Sequence, residues 1–184
     1  MTTSSMLKSN NSSTSLTAGT TPAVHPFDPI IDENSKILIL GSFPSIKSFE
    51  NNFYYAHPRN QFWPILSAIF KKPANSLEER LELLRTSNIA LWDVIESCER
   101  KNSADSNLKK SKPNDIESLL KNFPNIEAIL FTGRKAEQLF KKHFSKSIEL
   151  PTSLLPSPSP AYAALSFEVK LKRWNDILTN YLSI

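Results

Sequence analysis

Continuous apolar runs and helically spaced apolar positions alternate along the chain. Residues 37–40, ILIL, form an unbroken apolar run that stops at Gly41. A run without polar alternation suits a strand covered on both faces of a parallel sheet. Residues 88–94, NIALWDV, and 126–131, IEAILF, read the same way, and a fourth strand is expected over 147–150, with 153–155 extending it. Helices fall between them. Pro64 fits only a first helical turn, which sets a helix over 61–70. Ser76 followed by Glu79 is a capping-box pattern, and Leu77, Leu81 and Leu84 repeat behind it at helical spacing. Pro113 opens PNDIESLLKNF, a helix that stops before Pro124. Thr132 and Gly133 lead into a helix over 134–143, and a last helix over 167–182 carries Trp174, Ile177 and Leu178 on its apolar side. Residues 97–112, rich in Ser, Asn and Lys, read as an exposed loop. This alternation of strands and helices predicts an α/β fold with a parallel sheet covered on both faces.

In such a sheet, ligands bind beyond the carboxyl ends of the strands. The loop after the first strand, GSFPSIKSFENNFYYAHPRNQFW (41–63), and LPSPSPAYA (155–163), after the last strand, therefore share one edge, about a hundred residues apart in sequence. The first loop is unusually aromatic for a connection. Adjacent Tyr54 and Tyr55 are expected to point to opposite sides of an extended segment, one to the core and one to the cleft. Phe62 and Trp63 read as core.

Composition narrows the chemistry. The chain has 184 residues and is 40% hydrophobic, which suits one domain with a real core. Its Ser/Thr/Asn-rich start is expected to be a disordered tail over 1–24, leaving a single α/β domain over 25–184. Net charge is +4, a weak pull toward a polyanion. A single cysteine, Cys98, excludes an intramolecular disulfide framework and a Cys-ligated zinc or iron–sulfur site, and reads as a core or helix-edge residue. His25, His57 and His143 do not stand at metal-ligand spacing, and no metal is expected. With only 3 glycines there is no phosphate-cradling loop, and there is no GxSxG elbow. A dehydrogenase, a kinase or a zinc hydrolase is thus not expected, and no cofactor is expected. No apolar stretch is long enough to cross a bilayer, and no apolar leader core opens the chain. A soluble, intracellular protein without a membrane partner is expected.

What remains is a proline-stiffened, aromatic site. Tyr54 or Tyr55 can stack on a flat heterocycle, worth ~1–3 kcal/mol per base. Asn60 offers both donors and an acceptor to a base edge, or its side chain caps the helix that follows. Ser157 and Ser159 can contact phosphate or sugar, or serve only as turn residues. His57 is a loop hydrogen-bonder or an auxiliary acid. Asp93, ending the second strand, is an orienting carboxylate or a structural partner.

GSFPS, YYAHPRNQFW and LPSPSPA, in this order, resemble the hypoxanthine-DNA glycosylase branch, family six, of the uracil-DNA glycosylase superfamily. The likeness runs from about Lys36 to the C-terminus. It implies a three-layer α/β/α fold with a four-stranded parallel sheet, DNA containing deaminated bases as partner, and excision of a damaged base by a monomer. On this resemblance Gly41, Ser42 and Phe43 form the base pocket. Phe43 stands where most of the superfamily has a water-activating Asn or Asp. Tyr55 matches the aromatic that stacks on the flipped base, and Asn60 the catalytic Asn. Pro44 and Ser45 belong to the loop whose backbone would position water. Ser157 stands at the second-motif Asn of the mismatch-specific branch, and Ala161 and Tyr162 where related enzymes place a duplex wedge. No lysine lies in these motifs, so neither a Schiff base nor strand cleavage is expected.

Overall fold

The computed structural model describes residues 22–99 and 109–184. Its elements, in chain order, are β1 (Ala23–Val24), β2 (Ile37–Gly41), α1 (Ile46–Glu50), α2 (Phe62–Phe70), α3 (Leu77–Thr86), β3 (Ile89–Asp93), β4 (Ile95–Glu99), β5 (Lys109–Pro113), α4 (Ile116–Asn122), β6 (Ala128–Phe131), α5 (Arg134–Phe144), β7 (Thr152–Leu154) and α6 (Phe167–Leu178). The main sheet is four-stranded in the order β3-β2-β6-β7, and all its pairings are parallel. The expected α/β/α fold is the one the chain adopts.

The apolar runs explain the layers. Every residue of β2 and of β6 is buried. Successive side chains alternate across the sheet. Ile37 and Ile39 pack with α2, α3 and α6 through Phe62, Leu84 and Trp174, whereas Leu38 and Leu40 pack with α4 and α5 through Ile116 and Phe140. Two cores therefore flank one sheet, and its interior strands are apolar on both faces. In-register pairing places Gly41 beside Asp93 and Leu40 beside Phe131, so the strands end together at one edge.

Several expectations need correction. The loop expected over 97–112 holds strands: β4 and β5 pair antiparallel with each other, and β1 pairs with β4. Cross-strand ladders form wherever backbone groups find partners, and polar side chains do not prevent this on an exposed sheet; residues 100–108 lie outside the described residues. Pro113 ends β5 instead of opening a helix. Asp115 caps α4, its side chain accepting from the Ser118 amide. The fourth strand is only Thr152–Leu154, preceded by the Pro151 carbonyl, which accepts from the Ile129 amide of β6 at 2.9 Å. Ala23 and Val24 belong to a strand and not to the tail; residues 1–21 lie outside the described residues. The capping box at Ser76 and Glu79 forms, but α3 turns Leu83 and Leu84 inward and leaves Leu77 and Leu81 exposed. The short α1 carries too few residues to register as a periodic pattern.

Candidate active site

A cleft of about 380 Å³ opens at the carboxyl edge of the main sheet. Its lining brings together Gly41, Ser42, Phe43, Pro44, Ser45, Tyr55, Asn60, Asp93, Ser157, Ser159, Ala161 and Tyr162. His57, of the sequence candidates, is not in the lining. Its Nδ1 accepts from the Arg59 amide at 3.1 Å, the loop hydrogen bond that was one of its two readings.

The floor is built at the strand ends. A methyl group on Gly41 would overlap the Asp93 carboxylate and lie 2.8 Å from the Tyr55 hydroxyl. Only a residue without a side chain fits this close approach. Beside it, Phe43 is buried and packs edge-on to His25, ring centroids 6.0 Å apart. Ser45 spends its hydroxyl on the Ser48 amide, capping α1.

Tyr55 forms one wall. Its φ of 50° is left-handed, which costs a non-glycine residue roughly 1–2 kcal/mol. The cost is offset by a stack on Phe62, centroids 4.0 Å apart and planes 7° from parallel, and by a 2.8 Å hydrogen bond between its hydroxyl and Thr132. The segment is a turn and not an extended strand, so the strict alternation expected for the two tyrosines fails. Tyr54 is buried in the core yet also reaches the cleft wall. Its hydroxyl donates to the Asp28 carbonyl at 2.8 Å. Burial first, then the nearby Asp93 charge, push its pKa well above the ordinary tyrosine value.

Asn60 uses its two amide atoms differently. Oδ1 accepts from the Phe62 amide at 2.9 Å, satisfying the first N–H of α2. The Nδ2 group carries two further N–H donors, and Asn60 is one of the residues lining the cleft. Gln61 is the N-cap residue of α2, so Asn60 supports the helix start from one position further out, through Oδ1.

The second loop is tied to the first. The Gln61 amide donates to the Pro158 carbonyl at 2.9 Å. Buried Lys170 donates to Gln61 Oε1 at 2.9 Å and to the Tyr162 carbonyl at 2.8 Å, and desolvation holds its pKa below the usual lysine value. Trp174 Nε1 donates to the Pro156 carbonyl at 2.9 Å. Ser157 and Ser159 each accept a local backbone amide, from Ser159 and Ala161 respectively, so both do form turns. Ala161 and Tyr162 stand exposed at the loop tip.

Sequence reading missed His25, Arg134 and Lys170. His25 reaches Asp93 only because β1 pairs with β4, a non-local event without a spacing signature. Arg134, exposed at the start of α5, lines the cleft and carries its cation. Among the described residues no cluster of three or more His, Cys, Asp or Glu is arranged to hold a metal ion, and no helix is long and apolar enough to cross a membrane.

A parallel sheet between two helical layers, with an aromatic cleft where its strands end, defines an α/β protein whose cleft lies at the carboxyl edge, where sheets of this kind commonly bind ligands. Residues 29–178 match the uracil DNA glycosylase superfamily, and the chain belongs to it. A Methanosarcina barkeri (strain Fusaro / DSM 804) protein named hypoxanthine DNA glycosylase is 39% identical over 112 residues, 60% of this chain and 71% of the relative. Its namesake from Methanosarcina acetivorans is 34% identical over 137 residues, 73% of this chain and 85% of the relative. A solution NMR structure from Methanosarcina acetivorans, provisionally described as a uracil DNA glycosylase, superposes with a TM-score of 0.72 at 31% identity, covering 84% of this chain and 95% of that one.

Proposed function

We propose that this chain is a monofunctional DNA glycosylase that excises deaminated bases, chiefly hypoxanthine, by hydrolysing the N-glycosidic bond of a flipped nucleotide. It acts as a monomer through a single α/β domain that begins with β1. The observation that carries this reading is the union of the Asn60 and Ser157 segments in one cleft, locked by the Gln61–Pro158 hydrogen bond. A cleft held this way has little entropy left to lose when a base enters.

A base in a duplex must leave the stack first, at a few kcal/mol. Tyr55, its far face braced by Phe62, offers the flipped base a flat wall. As the glycosidic bond stretches, negative charge grows on the base and positive charge on the sugar. The Asn60 Nδ2 donor faces the growing anion, and a preorganised donor of this kind is worth ~2.7–4 kcal/mol. Arg134, Ser157 and Ser159, which line the cleft, contact the phosphates flanking the extruded nucleotide in this reading. Ala161 and Tyr162, at the exposed tip, are the wedge candidates that fill the vacated stack.

The test is direct. Duplexes carrying deoxyinosine, deoxyuridine or deoxyxanthosine are incubated with the protein, then nicked with alkali at abasic sites. Nicks at deoxyinosine exceeding those at deoxyuridine support the reading. Uracil excision above hypoxanthine excision assigns a uracil or broad deaminated-base glycosylase instead. Binding without abasic sites assigns a non-catalytic DNA-binding protein.

A further inference from the structure

The cleft contains one carboxylate among its described lining residues, Asp93. It comes from β3, outside both loops, and its residue is only 4% exposed. A buried carboxylate carries a large desolvation penalty unless it is specifically held. Here the holder is His25, whose Nε2 lies 2.7 Å from Asp93 Oδ2 while its side chain is 2% exposed. The Phe27 amide donates to His25 Nδ1 at 3.2 Å. That bond assigns the lone pair to Nδ1 and the proton to Nε2, so a neutral imidazole donates to Asp93. Phe27, Phe43 and Tyr54 enclose the imidazole, ring centroids 5.5, 6.0 and 5.9 Å away. Asn114 Nδ2 donates to the Asp93 backbone carbonyl at 2.9 Å, and Asp93 Oδ1 abuts Gly41 on the cleft floor.

The neighbouring acceptors are weaker or committed. The Gly41 and Ser42 carbonyls accept from the Val94 and Ile95 amides, and the Ser45 hydroxyl caps α1. Stability alone does not explain a buried carboxylate at this place, since an apolar pair of similar volume commonly serves a fold as well or better. Resting on the hydrolase reading above, we propose that Asp93 is the catalytic base that holds and deprotonates the attacking water, and that His25 is its positioning residue. The balance is simple. The glycosidic bond breaks with its electron pair going to the base. Water oxygen bonds to the sugar C1′ and gives a proton to the Asp93 carboxylate. That proton passes on to the released base, so one water is consumed and free base and an abasic sugar are formed. Until then, the Asp93 charge also faces the cationic sugar.

The experiment measures single-turnover excision from a deoxyinosine duplex, with duplex affinity alongside, for the full chain and its variants. Asp93→Asn keeps the shape and is expected to lower the rate ~10²-fold or more with affinity changed less than threefold, as for loss of a general base. Exogenous formate is expected to restore rate to Asp93→Ala. His25→Phe is expected to lose about tenfold, and His25→Gln, which keeps an N–H donor, to recover most of that loss. The His25 pair decides the matter even if the Asp93 variants fail to fold: equal rates for the two overturn the positioning assignment. An Asp93→Asn rate within threefold of the unaltered protein overturns the proposal while leaving the glycosylase reading intact. An unaltered protein that makes no abasic sites overturns the glycosylase reading itself.

Discussion

Replacing Asn60 by Asp separates the two tasks that its side chain performs. Oδ1 accepts the first helical N–H of α2, from Phe62 at 2.9 Å, and in the proposed mechanism Nδ2 donates to the departing base. Asn60→Ala removes both. Loss of a cap costs about 0.5–2 kcal/mol, and loss of an anion-facing donor costs ~10²–10³ in rate. Asn60→Asp keeps an acceptor for the Phe62 amide. A carboxylate at a helix N-terminus adds ~0.3–1 kcal/mol at an exposed site, so stability should equal or exceed that of the unaltered protein. Its rate should nevertheless fall at least as far as that of Ala, because a donor is replaced by a charge that repels the base anion. Denaturant midpoints and single-turnover excision from a deoxyinosine duplex, measured on the same preparations, report the two effects separately. The expected result is a stable, inactive Asp variant and a slightly unstable, inactive Ala variant. An Asn60→Asp protein that excises within threefold of the unaltered rate would refute the donor role. Activity lost only in proportion to stability would reduce Asn60 to a helix cap.

Three further outcomes follow from the geometry. Gly41→Ala drives a methyl group into the Asp93 carboxylate and the Tyr55 hydroxyl, so it should destabilise by ~1–3 kcal/mol and abolish excision; urea denaturation and the alkali nicking assay check both. Tyr54 holds its proton in the fold beyond the pH at which an unfolded tyrosine, near 10.0, loses it. Its contribution is therefore fully present below that pH and lost as pH rises above it, and Tyr54→Phe should flatten the alkaline decline in denaturant midpoint. If about four phosphates are contacted, raising salt from about 50 to about 200 mM should weaken duplex binding roughly 10²-fold, and a salt-independent affinity measured by anisotropy would argue for an uncharged ligand.

The sequence by itself determined the sheet and the edge on which the cleft opens. Runs such as ILIL at 37–40 are buried on both faces wherever they lie, and parallel strands joined by helices must end together. It also determined the local devices: the Ser76–Glu79 capping box, the buried Trp174 and Leu178, and the aromatic, proline-rich loops. These rest on contacts within a few residues, which a periodic pattern records. The tertiary structure alone decided that Asn60 holds the start of α2 from the cleft lining, how a left-handed turn at Tyr55 sets its ring on Phe62, and that polar residues beyond β3 form strands. It alone brought His25 to Asp93, through the pairing of Val24 with Ser97. That contact spans 68 positions, and no local pattern encodes it. The hydrogen bond is strengthened because the surrounding fold withdraws both partners from water, a property of the folded volume and not of any one segment.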